Sequence, residues 1–140
     1  MDPQKARPAA GTGDGPGAGE TILLVEDNQD LAEVYVALFE CLGYRVLAAA
    51  TAEEALDVAA GEAGRVALVV TDLTLPGMSG TELGEALRGR GERAPVIVLS
   101  GYPPPDGAAG DAVTAWLQKP LEVEELLAAV ARALHPPSVG

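Results

Sequence analysis

Long apolar runs are missing from this chain, and so is cysteine beyond Cys41, one residue in 140. Without an uninterrupted apolar stretch of about 18 residues there is no candidate membrane span. A single cysteine excludes an internal disulfide and suits a reducing compartment. The opening MDPQKARPAAGTGDGPGAGE has no apolar block of the kind that drives secretion, so the expected location is the cytoplasm. Bases are scarce, 9 Lys and Arg against 21 Asp and Glu, for a formal charge of -12. Such a chain repels nucleic acid and anionic lipid, which argues against direct nucleic-acid binding and membrane insertion. Glycine-rich phosphate fingerprints are absent as well, since neither GxGxxG nor GxxxxGK[ST] occurs.

What is present suits one domain, because nearly half the residues are apolar and the length falls in the common range of single domains. Residues 1–19 are rich in Gly, Ala and Pro and read as a flexible tail or linker. The domain proper is expected over 20–135, with a disordered tail at 136–140. From Thr21 onward, short apolar runs alternate with helical patterns, the signature of a parallel sheet covered by helices on both faces. The runs are TILLV (21–25), YRVLAA (44–49), VALVVT (66–71), PVIVLS (95–100) and AWLQ (115–118). Leu31, Val34, Tyr35, Leu38 and Leu42 predict an inward stripe on the first helix, stopped by Gly43. Thr51 with Glu54, and Ser79 with Glu82, are capping-box signatures for the second helix, ending near Ala60, and for the third, with Leu83, Ala86 and Leu87 inward. Val123, Leu126, Leu127, Val130 and Leu134 form the stripe of the last helix. The segment from Gly101 to Thr114 holds three consecutive prolines and three glycines, so a long helix there is disfavoured and the element is expected to be short, distorted or mobile.

Polar residues cluster at the strand ends. Glu26 and Asp27 follow the first strand, Asp72 the third and Lys119 the fifth, while Ser100 ends the fourth. In an open α/β sheet the carboxyl ends of the strands form the binding rim, so all five should meet there. Three converging carboxylates need a cation between them, and a hard divalent ion, magnesium or in its place manganese, prefers such oxygen ligands. Asp27 and Asp72 suit direct ligation, with Glu26 acting through water. Lys119 can pair with Asp72 and then with a phosphate, Ser100 offers a hydroxyl donor, and the small Gly101 lets a backbone amide approach the same oxygen. An Asp carboxylate so placed can serve as a nucleophile toward phosphorus. Taken singly, each residue has a plainer use: helix-dipole complement for Glu26 and Asp27, turn residue for Ser100, helix start for Lys119-Pro120. Their joint placement is what points to phosphoryl chemistry.

VEDN at 25–28, DLTLPGMSG at 72–80, LSG at 99–101 and LQKP at 117–120 resemble, in order and spacing, the receiver domain of bacterial two-component response regulators. The resemblance runs from Glu20 to about Leu134. It implies a flavodoxin-like, doubly wound (βα)5 sheet of strand order 2-1-3-4-5, with Asp72 phosphorylated by a histidine kinase or histidine phosphotransfer protein. Asp27, Asp72 and the backbone carbonyl of Thr74 carry over as magnesium ligands, with Glu26 as the water-mediated acid. Lys119 carries over as the phosphate-pairing base, Gly101 and Thr74 as backbone contacts to phosphoryl oxygens, and Ser100 as the switch hydroxyl. By the same likeness the Lys119-Pro120 bond is cis. Trp116 stands where the family usually has a Tyr or Phe that swings inward, so it is the second switch candidate. Leu121 replaces a frequent Phe. With no output domain after Leu134, the phosphorylation state must be read by a downstream effector, either another chain or a domain cut away. The Gly/Pro tail resembles the linker to the kinase portion of a hybrid histidine kinase, a free-standing regulator being the competing origin. Two other classes stand beside this one. An aspartyl phosphatase would want a second acid where Thr74 stands, and a phosphorylation-independent binding module would not need the full set of acids, Ser and Lys.

Overall fold

The computed structural model describes residues 19–62, 64–103 and 113–135. The tails expected at 1–19 and 136–140 therefore lie outside the described residues except for Gly19, and so does most of the 102–114 segment. Five strands, β1 (Thr21–Val25), β2 (Arg45–Ala49), β3 (Val66–Asp72), β4 (Val96–Ser100) and β5 (Ala115–Gln118), pair in parallel in the order β2-β1-β3-β4-β5. Helices α1 (Gln29–Cys41), α2 (Ala52–Gly61), α3 (Gly80–Gly89) and α4 (Val123–Leu134) pack on the two faces. The expected strand order and doubly wound architecture are what is found.

Strand periodicity builds the two cores. Successive side chains of β1 point to opposite faces. Leu23 and Val25 meet Leu56 of α2 and Leu83 and Leu87 of α3, while Ile22 and Leu24 join Phe39 of α1 and Leu126 and Val130 of α4. Strands β1 and β4 are buried along their whole length, so they read as unbroken apolar runs rather than alternating ones. Cross-strand partners Val25↔Thr71, Asp72↔Leu99 and Ser100↔Gln118 end the strands at one level. That common level is the rim.

Local signals differ from expectation in a few places. Val34 on α1 and Val123 on α4 were expected inward but are 60% and 51% exposed. Apolar residues cover most of the circumference of α1, so their spacing fixed the period and not the phase. The contact line keeps the expected Tyr35 and Leu42 but runs through Ala32, Val36 and the fully buried Phe39 besides. Val123 is the first residue of α4, one turn ahead of the buried Leu126. The Thr51–Glu54 box is only half made: Thr51 accepts from the Glu54 amide at 3.0 Å, but the Glu54 carboxylate takes the Ala50 amide at 2.7 Å. The Ser79–Glu82 box is complete. Strand β4 starts at Val96 because Pro95 has no amide to donate, and β3 runs on through Asp72.

The corrected stripe can be tested by unfolding in urea. Phe39→Ala removes a fully buried ring and should cost about 3–5 kcal/mol. Val34→Ala should stay within about 0.5 kcal/mol. A reversed ranking would restore the original phase of the helix.

Candidate functional site

The rim brings together Glu26, Asp27, Asp72 and Lys119, and Ser100 ends β4 at the same level. The backbone amide of Glu26 donates to Ala49 at 3.0 Å, which fixes the turn out of β1 against β2. Glu26 is 4% and Asp72 6% exposed, whereas Asp27 faces solvent. Carboxylate oxygens of Glu26, Asp27 and Asp72 lie within 4.8 Å of one another, which at an effective dielectric near 20 opposes each pair by roughly 3 kcal/mol. From the far side of β4, Lys119 places its Nζ 2.6 Å from Asp72 Oδ1. Its own amide donates to the Ser100 carbonyl at 2.6 Å, and the Lys119-Pro120 bond that follows is cis, as the resemblance implied.

One ammonium does not balance three acids. Glu26 Oε2 accepts the Asn28 amide at 3.0 Å, but Oε1 is buried with no donor. Burial above all, with the neighbouring Asp72 adding to it, pushes the Glu26 carboxyl up to about 7, against the opposing pull of the Asn28 amide and Lys119. As a carboxylate its second oxygen is orphaned; protonated, it can donate to Asp72. For Lys119, burial alone would lower the pKa, yet the hydrogen bond and charge of Asp72, helped by Glu26, outweigh burial and leave it raised. The ammonium therefore stays charged. The orphaned Glu26 oxygen beside two further carboxylates is a donor set that fits a hard divalent cation, which would supply the charge now lacking.

Ser100 is 2% exposed, and its hydroxyl accepts the Tyr102 amide at 2.9 Å. Tyr102 in turn accepts from the Trp116 indole N–H at 2.9 Å through its carbonyl. That relay was not foreseen, and a backbone bridge of this kind has no residue-type signal. Asn28 was also missed as a site residue, although Asn just before a helical stripe is a strong N-cap signal; its side chain caps α1 at Leu31 while its amide holds Glu26. Thr74 and Gly101 are exposed beside the rim. A cavity of about 620 Å3 is lined by Leu56, Val66, Leu87 and Pro95 at the opposite ends of the strands, away from this chemistry.

A family model described as the response regulator receiver domain matches residues 22–131. The chain belongs to this family. It is 40% identical over 117 residues to YkoG of Bacillus subtilis (strain 168), a transcriptional regulatory protein, covering 81% of this chain and 50% of that protein. Among solved structures it is similar to the receiver domain of the hybrid histidine kinase CckA, at 36% identity and a TM-score of 0.72, covering 82% of this chain and 99% of that one. It is also similar to the response regulator TrrA of Thermotoga maritima in complex with Mg2+-BeF, at 27% identity and a TM-score of 0.71, covering 82% and 99%. The chain spans half or less of the length of the curated relatives it matches, 24% in the case of FleR of Pseudomonas aeruginosa. This receiver domain is accordingly a phosphoacceptor module of two-component signalling, and its acidic cluster is compatible with a metal ion. No helix among its described residues is long and apolar enough to cross a membrane.

The buried acid gives the metal-free receiver a distinctive pH response. Because Glu26 holds its proton more tightly folded than unfolded, between its ordinary 4.5 and about 7, its contribution to stability is full below that window and is lost as pH rises through it. With chelator present, the urea midpoint should fall from about pH 5 to about pH 8, and Glu26→Gln should flatten the slope. Parallel slopes for the two proteins would contradict the assignment.

Proposed function

We propose that Asp72 is the phosphoacceptor, taking a phosphoryl group from the phosphohistidine of a histidine kinase or phosphotransfer protein and presenting it to a downstream effector. The observation that carries this is the 2.6 Å contact of Lys119 Nζ with Asp72, set beside two further acids. An Asp72 carboxylate oxygen attacks phosphorus in line, the P–N bond to the donor imidazole breaks, and its electron pair stays on that nitrogen. Lys119 remains protonated throughout and holds charge against the transferred group. Asp27, Asp72 and the Thr74 carbonyl would hold Mg2+ directly, and Glu26 through water. The ion, when bound, supplies the positive charge that offsets the acids and the phosphoryl oxygens. The backbone amides at Thr74 and Gly101 are the remaining donors for those oxygens. Uptake and release at Asp72 are self-catalysed, so the domain is not a turnover enzyme, and Thr74 in place of a second acid argues against a phosphatase. Likeness to a regulator twice the matched length and to a hybrid-kinase receiver supports parentage in a longer protein of either kind.

Switching follows from the same geometry. A turn of the Ser100 side chain toward the phosphoryl group would draw its oxygen off the Tyr102 amide it now accepts, and the Tyr102 peptide is what Trp116 holds through its indole. A Phe would offer no such donor. Ser100 and Trp116 are thus linked through one peptide group, and loading of Asp72 is felt at the indole.

Acetyl phosphate with Mg2+ should add one phosphoryl group by intact mass, and Asp72→Asn should abolish it. Trp116 is the only tryptophan, so its emission should shift on loading and on beryllofluoride. Ser100→Ala should still be labelled but lose most of that shift. Equal labelling of Asp72→Asn would refute the acceptor, and an undiminished shift in Ser100→Ala would refute the relay.

A further inference from the structure

We propose that Gly80 is a positioning residue for Asp72, setting from behind where the carboxylate stands relative to Lys119 and the other two acids. This deepens, and rests on, the reading of Asp72 as acceptor. Gly80 is buried and opens α3, where the loop from β3 returns against its own starting point. A Cβ built on it would overlap the Asp72 carbonyl oxygen, well inside the 3.0 Å below which real Cβ contacts essentially never fall. It would also lie 3.1 Å from the Asp72 carbonyl carbon and 3.2 Å from Leu73 Cα. All three are backbone atoms, so no change of rotamer relieves the overlap. The need for glycine here is spatial and not conformational, because Gly80 is not among the positive-φ glycines.

The backbone of Asp72 and Leu73 is tied on its other sides as well. Gly80 N–H donates to the Leu73 carbonyl at 2.7 Å, Leu73 N–H donates to Leu99 of β4 at 2.8 Å, and the Thr71 hydroxyl donates to the Asp72 carbonyl at 2.9 Å. Helix α3 cannot retreat freely, since its first turn is closed by the Ser79–Glu82 box and Leu83 is wholly buried. A methyl at position 80 therefore displaces the Asp72–Leu73 backbone. The carboxylate moves with it, out of its present placement against an ammonium that is now 2.6 Å distant and the two acids that converge on it. Magnesium demands near-ideal octahedral geometry and tolerates such a displacement poorly.

The test compares Gly80→Ala with Gly89→Ala, a change in the same helix whose new Cβ meets nothing within 4 Å. Gly80→Ala should keep its helical circular dichroism but bind Mg2+ roughly tenfold or more weakly by calorimetry, and label from acetyl phosphate roughly tenfold or more slowly. Its metal-free crystal structure should show Lys119 Nζ and Asp72 Oδ1 beyond about 3.2 Å. Gly89→Ala should match the wild type in every measurement. Wild-type Mg2+ affinity in Gly80→Ala with the ammonium contact intact overturns the inference. A wild-type protein that takes no phosphoryl group would instead sink the acceptor reading, while Mg2+ affinity and the metal-free distance still decide Gly80. Should Gly80→Ala fail to fold, Thr71→Val removes the hydroxyl from the same carbonyl without touching α3 and must weaken Mg2+ binding by roughly threefold or more; unchanged affinity there also overturns it.

Discussion

A single ammonium set against three carboxylates is the constraint on which this structure turns. Lys119 sits within hydrogen-bond distance of Asp72, and that pairing keeps the lysine charged despite its burial. It leaves Glu26, buried with an oxygen that finds no donor, short of a partner. A domain organised only for stability would not keep such a group, because an unpaired buried carboxylate opposes folding. The shortage is therefore best understood as a property of the site. It makes the rim ready for a cation and then for an anionic group that the cation and Lys119 can share.

Holding that arrangement requires residues far apart in sequence to meet within a few ångströms, and the parallel sheet does this. Strands β1, β3, β4 and β5 end at one level because their registers are locked by apolar side chains on both faces, and slipping β1 by one residue would exchange the contents of the two cores. Glu26, Asp72, Ser100 and Lys119 inherit their positions from those ends. The loops above the rim add finer control: Asn28 joins the cap of α1 to Glu26, Gly80 brings the start of α3 against the back of Asp72, and Tyr102 spans Ser100 and Trp116.

Much of this was legible in the residues alone. All five strands could be found because buried parallel strands are short, apolar and punctuated, and the convergence of Glu26, Asp27, Asp72 and Lys119 could be found because each stands at a strand end. Helix phase was less legible. On α1 nearly every position from Leu31 to Phe39 is apolar or small, so periodicity could not choose between Val34 and Phe39, and only packing against the sheet decided it. Backbone roles were not legible at all. Nothing in the identity of Tyr102 announces that its amide and carbonyl link a hydroxyl to an indole, and a glycine within PGMSG looks like a turn residue until Asp72 is seen lying against it. The raised Glu26 was invisible for the same reason, since it follows from depth of burial and not from residue type.

Charge around the site extends beyond its three acids. Every helix runs back against the strands, so the first turns that carry Asp30, Glu53, Glu54, Glu82, Glu124 and Glu125 all lie toward the rim of Asp72. Each of these acids is explained locally, as a complement to the positive end of a helix. Their sum is not local. It surrounds the rim with negative potential that reaches a Debye length, about 8 Å at physiological salt, while basic last-turn residues such as Arg88 and Arg132 lie toward the opposite side. A phosphoryl donor is itself anionic at the reacting group, so its approach is opposed until a cation occupies the cluster or a partner surface brings positive charge of its own. The acids in the helix first turns and the three at the strand ends thus act in one direction: they attract a cation to the rim and oppose an anion there until positive charge is supplied.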